Sequence, residues 1–130
     1  MSRPTRPPFD ATQKLITFLY YTDLPRAIRF YEEVMGLVLE IDQGWSKIYR
    51  VTPNGYVGVV DETRGSHRAN AIKPVQICMR VADVDAWHAY IVDAGIEGVT
   101  APRSHLELKI RAFVFNDPEG YQIEIQSALD

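Results

Sequence analysis

ITFLYYTDLPRAIRFYEEVMGLVLE, residues 16–40, and VQICMRVADVDAWHAYIVDAGIEGVT, residues 75–100, follow one plan. Each starts with a β-rich run, reaches an Asp at a turn (Asp23, Asp83), enters an amphipathic stretch and stops at a Gly (Gly36, Gly95). A short-side-chain oxygen before the apolar stretch and a glycine after it are the start and stop signals of a helix. The same order occurring twice marks a duplicated supersecondary unit, and a duplicated unit commonly builds its site between the two copies.

Working outward from the first copy, Leu15–Tyr21 reads as a strand and Leu24–Met35 as a helix, with Pro25 tolerated in its first turn. Ala27, Ile28, Tyr31, Val34 and Met35 fall on one helical stripe, and Arg26, Arg29, Glu32 and Glu33 fall off it. That pattern predicts one face packed on a sheet. Val38–Ile41, Trp45–Thr52 and Tyr56–Asp61 read as strands, the last two joined by the hairpin signal Pro53-Asn54-Gly55. The second copy repeats the order. Val75–Val81 is a strand, Asp83 opens a helix that runs through Ala94, Val99 falls in a weak extended piece, and strands follow at Leu106–Phe115 and Tyr121–Gln126 around the turn Asn116–Gly120. The expected fold is α+β: two βαβββ modules forming curled mixed sheets with a concave cavity and helices on the outer faces. Residues 1–12 read as a flexible tail and 13–130 as one domain, with module 1 at about 13–61, a linker at 62–74 and module 2 at about 75–127.

The chain has 130 residues, 46% of them hydrophobic, which suits one globular domain with a real core. A formal net charge of −3 and the lack of any Lys/Arg run argue against nucleic acid or an anionic membrane as partner. One cysteine, Cys78, leaves no disulfide framework, so a reducing, cytoplasmic setting is the expectation. No apolar stretch reaches the length of a membrane span, and MSRPTRPPFDA lacks the apolar run of a secretory signal. Nucleotide-binding glycine fingerprints, Walker loops, Cys-based zinc spacing and a Ser-His-Asp order are absent from the sequence.

Two stretches, TDLPRAIRFYEEVMGL (residues 22–37) and NDPEGYQIEI (residues 116–125), carry a resemblance to the vicinal oxygen chelate superfamily, which includes glyoxalase I, bleomycin-resistance proteins and extradiol dioxygenases. The resemblance spans nearly the whole chain after the tail. It implies a site on the concave face of a curled sheet, with metal-ligand positions on the first and last strands of each module. By position those places fall on Ile16, on or beside Val59, on Gln76 and on Glu124. Ile16 offers no donor, nor do Gly58, Val59 and Val60, and a catalytic divalent site ordinarily needs three side chains from His, carboxylate or thiolate. Gln76 and Glu124 are the metal ligands if there is one. The expectation is that no cofactor is used, a divalent metal remaining the less favoured possibility.

Strand parity places Ile16, Phe18 and Tyr20 on the same kind of face as Gln76, Cys78 and Arg80 and as Gln122, Glu124 and Gln126. The resemblance adds Leu108, Ile110, Ala112 and Val114 to that cavity. Half apolar with a few polar groups, this is the lining of a pocket for a small organic ligand. Within it Arg80 suits an anionic or carbonyl group, and Glu124 suits a general base or hydrogen-bond acceptor, unless the two simply pair or meet solvent. Trp45, Tyr49 and Tyr56 could stack on a planar ligand, or serve as core or dimer contacts. His67 and His105 lie in loop-like segments able to fold over a pocket mouth, whereas His88 belongs to the second helix. The candidate pocket is therefore Phe18, Tyr20, Trp45, Tyr49, His67, Gln76, Arg80, His105 and Glu124, with Glu124 as the candidate catalytic group.

Three functions follow in order of preference. The first is a metal-poor binder of a small, partly apolar compound. The second is a metal-dependent lyase, isomerase or dioxygenase recruiting ligands such as His67 or His105, and the third a metal-free enzyme with Glu124 as base. The expected partners are a small-molecule ligand and a second copy in a homodimer, with modules pairing either within a chain or between chains.

Overall fold

The computed structural model describes residues 3–130, so the first two residues of the expected tail lie outside the described residues. The first module runs β1 (Leu15–Tyr21), α1 (Leu24–Arg29), β2 (Val38–Asp42), β3 (Ser46–Arg50) and β4 (Gly55–Asp61). The second runs β5 (Gln76–Arg80), α2 (Val84–Asp93), β6 (Arg103–His105), β7 (Ile110–Asn116) and β8 (Gln122–Ala128). Each module forms its own four-stranded mixed sheet, β1-β4-β3-β2 and β5-β8-β7-β6, with β1 parallel to β4 and β5 parallel to β8. The α+β class and both βαβββ modules are as the sequence reading has them, and the two sheets do not close on each other.

The helices begin where the aspartates predict. Asp23 Oδ1 accepts from the Arg26 amide at 3.1 Å and Asp83 Oδ1 from the Ala86 amide at 3.0 Å. Both stop glycines take positive φ, 66° at Gly36 and 82° at Gly95, where a side chain would be strained. The first helix does not stay α-helical to Met35. Phe30–Val34 forms a π turn, closed by the Met35 amide on the Phe30 carbonyl. The wider turn brings Phe30, off the predicted stripe, into the core beside Tyr31, with 6% and 0% exposure.

The expected strand Leu106–Phe115 begins in a turn and becomes a strand only from Ile110. Leu106–Lys109 is a turn, with Lys109 at φ 55°, and it joins β6 to β7. Leu108 therefore stands exposed in a turn and does not line a sheet face, while His105 lies in strand β6 rather than a loop. Val99 belongs to no strand. Residues of the expected tail are tethered at its end, because the Asn54 side-chain amide donates to the carbonyls of Ala11 and Gln13 at 2.7 and 2.9 Å.

One core serves both modules. Leu19, Tyr21, Tyr49, Val57 and Val59 from the first sheet meet Phe113, Phe115, Ile123 and Ile125 from the second, together with α1 and α2 residues such as Ala27, Tyr31, Val84 and Ile91. Fully burying a side chain such as Ile123 or Phe115 contributes about 1.5–3 kcal/mol. At the centre of the seam is Asp117, 5% exposed. Its Oδ2 accepts from the hydroxyls of Tyr21 (2.5 Å) and Tyr31 (2.8 Å), and its Oδ1 from the amides of Glu119, Gly120 and Tyr121. Close by, Glu119 accepts from the Thr22 amide and hydroxyl and pairs with Lys73 at 3.2 Å. The stretches 22–37 and 116–125, far apart in sequence, are thus physically joined, and their shared residues hold the modules together. Among the described residues, no helix is long and apolar enough to cross a membrane.

Candidate functional site

With one face of each sheet committed to the core, the candidate positions lie on the other. On the first sheet this second face carries Ile16, Phe18 and Tyr20 from β1, Tyr56, Gly58 and Val60 from β4, and Ser46, Ile48 and Arg50 from β3, matched by strand register; Ser46, Ile48, Tyr56 and Val60 are buried, which leaves Ile16, Phe18, Tyr20 and Arg50 accessible. Phe18 lies across Gly58. A Cβ at Gly58 would sit 2.5 Å from a Phe18 ring carbon, so glycine is what lets the ring lie flat on the sheet. Phe18 remains 42% exposed and ready for contact.

The inter-module linker folds back over this face. Gly65 sits where a Cβ would meet Val60 and the Tyr20 ring, and His67 packs against Tyr20 with ring centroids 5.1 Å apart. The Tyr20 hydroxyl and Ser66 Oγ are 3.2 Å apart, and Ser66 Oγ and His67 Nδ1 2.8 Å. Phe18, Tyr20 and His67 are thereby brought together in a cleft of about 290 Å³ that also borders Arg68, Ile72 and Lys73. A depression of about 340 Å³ between Gly36–Val38 and Arg50–Pro53 holds none of the candidates.

The aromatic candidates on β3 and β4 divide. Tyr49 is on the core face with 0% exposure, and its hydroxyl donates to Glu32 at 2.6 Å, so it lies under the helix and is not a pocket residue. Burial, then the Glu32 contact, pushes its hydroxyl well above the usual tyrosine range. Tyr56 is on the open face, its hydroxyl raised by a hydrogen bond to Glu40 and by burial. Trp45 precedes β3, is 39% exposed and has the Arg64 guanidinium 5.8 Å above its ring.

The open face of the second sheet carries a polar ladder. Gln76, Cys78 and Arg80 of β5 stand opposite Gln122, Glu124 and Gln126 of β8. Gln76 donates to Gln122 at 2.6 Å, Cys78 Sγ to Glu124 at 3.3 Å and Arg80 Nε to Gln126 at 2.8 Å. Gln126 in turn donates to Glu124 at 2.7 Å, so one glutamine amide separates Arg80 from Glu124, and the direct pairing that is the alternative to a functional role does not form. Desolvation and the neighbouring Glu124 push the Cys78 thiol up to about 11, which makes it a poor nucleophile. Beyond β8 the face continues through Val114, Ala112 and Ile110 of β7 to Arg103 and His105 of β6. Arg103 escapes a reading of the sequence that puts His105 in a loop and starts the strand at Leu106.

Phe18 and Tyr20 therefore belong to the first sheet, with His67 of the linker packed on it, and Gln76, Arg80, His105 and Glu124 belong to the second. The edge strands β1 and β5 form no ladder with each other. His88 packs its ring edge-to-face on Phe113, on the core side.

The family's ligand places do not suit a metal. Ile16 and Gly58 have no donor, Val59 is buried on the core face, the Gln76 amide is engaged by Gln122, and Glu124 is the one carboxylate. Among the described residues, no group of three or more His, Cys, Asp or Glu side chains is placed to hold a metal ion. His67 and His105 add nothing to Glu124 at the family positions, since the first lies beside Tyr20 and the second on the far edge strand.

Comparison with known proteins agrees with this architecture. The family model for the Glyoxalase/Bleomycin resistance protein/Dioxygenase superfamily matches residues 13–125, and the chain belongs to that superfamily. It is 24% identical over 121 residues to the uncharacterized protein YraH of Bacillus subtilis (strain 168), covering 85% of this chain and 94% of that one. Among solved structures it is similar to lactoylglutathione lyase from Agrobacterium tumefaciens, with a TM-score of 0.68, 25% identity and coverage of 94% and 96%. It is also similar to TioX from Micromonospora sp. ML1, with a TM-score of 0.73, 23% identity and coverage of 90% and 99%.

Proposed function

We propose that this chain is a small-molecule binder of its superfamily, which holds a partly apolar organic ligand in a cavity without a metal at the family's ligand positions. The observation that carries this reading is the donor set itself: Ile16, Gly58 and a fully engaged Gln76 leave Glu124 as a lone anionic donor. What remains on the open faces is a platform of Phe18 over Gly58 on one sheet and a hydrogen-bonding ladder on the other. Apolar area plus a few directed polar groups is what an organic ligand requires.

Two such faces within one chain favour a cavity completed by a second copy. Ile16 and Phe18 on β1, and Gln76, Cys78 and Arg80 on β5, direct their backbone groups away from the ladders and bond to nothing else among the described residues. Unpaired edges of this kind are templates for another strand. Setting the first sheet of one copy beside the second sheet of its partner would put Phe18 and Tyr20 opposite Gln76, Arg80 and Glu124.

The test is a thermal-shift screen of small aromatic and carbonyl compounds in chelator, repeated with Phe18→Ala. Hits that survive chelation and are lost in F18A support the reading. Hits that need an added divalent metal, or that are indifferent to F18A, overturn it.

A further inference from the structure

The last row of the second sheet's open face reads Arg103, Ala112, Gln126, Arg80 across four strands in register. At a strand spacing of about 4.8 Å, the two arginine backbones stand about 14 Å apart, a span two extended guanidiniums can close from opposite sides. Between them stand Ala112, which has no side chain beyond Cβ and is 5% exposed, and Gln126. Gln126 fixes Arg80 through Nε and leaves its terminal nitrogens free. Neither arginine forms a salt bridge among the described residues; the cations that do are Lys14, Lys47, Lys73 and Arg111. The one carboxylate on the neighbouring row, Glu124, is occupied by Cys78 and Gln126.

We propose that Arg80 and Arg103 clamp an oxyanion, a carboxylate or a phosphate carried by the ligand, above Ala112. Two guanidiniums without a direct salt bridge among the described residues, flanking one small residue, match the planar, bidentate demand of such a group. The same placement gives the ligand an orientation: its anionic end lies on this row, and its apolar body reaches toward an aromatic platform like that of Phe18. This rests on the cavity reading above and specifies the ligand it would take.

Three probes sharing a phenyl ring test it on the whole chain: benzamide, its isostere benzoate, and phenyl phosphate, titrated against 15N-labelled protein while the arginine Nε–Hε signals are followed. The expected result is at least tenfold tighter binding of one or both anions than of benzamide, with shifts at Arg80 and Arg103. Whichever anion binds tighter identifies the group. Arg80→Gln and Arg103→Gln should each abolish the preference for the anions over benzamide, and Arg29→Gln, on an exposed helix face, should change nothing. Equal affinity for all three probes, with benzamide binding still weakened by F18A, overturns the clamp and leaves the cavity. No binding of any probe overturns both.

Discussion

Replacing Asp117 by Ala removes the carboxylate on which the two modules converge, and the cost follows from its partners. Two buried phenols and three backbone amides donate to it. A hydrogen bond to a charged group contributes about 1.5–3 kcal/mol, and orphaning buried partners adds their desolvation. The amides can recover water at the turn, whereas the phenols of Tyr21 and Tyr31 sit in the core. The net loss should be about 3–5 kcal/mol, a large part of the roughly 5–15 kcal/mol of a domain this size. Tyr21→Phe and Tyr31→Phe should each cost about 1–2 kcal/mol. In the D117A background those tyrosine replacements should cost far less, since the partner is already gone. Urea unfolding at neutral pH, followed by circular dichroism, measures all of these. A loss below 1 kcal/mol for D117A, or tyrosine effects unchanged in its background, would refute the view that this cluster locks the modules.

Three further predictions use other parts of the molecule. Burial first raises Tyr21 and Tyr31 far above the ordinary value of about 10, with the Tyr31 phenol and then Asp117 adding to it at Tyr21 and Asp117 adding to it at Tyr31, and Tyr49 is raised by burial and Glu32. A raised folded-state value means the stabilisation is complete below pH 10 and is lost as pH climbs above it. Stability should fall by up to about 1.4 kcal/mol per pH unit for each of the three, and their absorbance near 295 nm should appear only on unfolding. Cys78, raised to about 11, should alkylate at pH 8 on the order of tenfold or more slowly than a free thiol, and Glu124→Gln should speed it; a wild-type rate equal to that of a free thiol contradicts the ladder. Gly58→Ala forces the Phe18 ring off the sheet, so ligand affinity should drop by tenfold or more with a stability change of about 1–2 kcal/mol, and an unchanged affinity would remove Phe18 from the binding face.

The duplicated strand–Asp–helix–Gly order was open to a sequence reading because each signal is local: Asp23 and Asp83 cap within three residues, and the glycines stop the helices by their own φ. Strand parity also placed Phe18, Gln76, Arg80 and Glu124 on open faces, since alternation needs no tertiary information. The π turn at Phe30–Val34 keeps an apolar spacing close to that of an α-helix and so leaves no distinct mark. Tyr49 misleads for a related reason: its strand has large residues on both faces, and the side lying under α1 is set by packing with Glu32 and Tyr31. Arg103 and His105 were hidden by the shortness of β6, three exposed residues before a turn. The relation between the sheets is the least local feature. It depends on Tyr21 and Tyr31 meeting Asp117 from far along the chain, a contact that joins the core faces and leaves Phe18 on one sheet and Glu124 on the other.

Native mass spectrometry of protein purified without added metal, sprayed with the best hit of the ligand screen, tests the central claim most directly. The account predicts a dimer that takes up small organic molecules and carries no stoichiometric metal, with uptake unchanged by chelator. A monomer that binds the ligand fully, or one metal per chain whose removal ends binding, would contradict it.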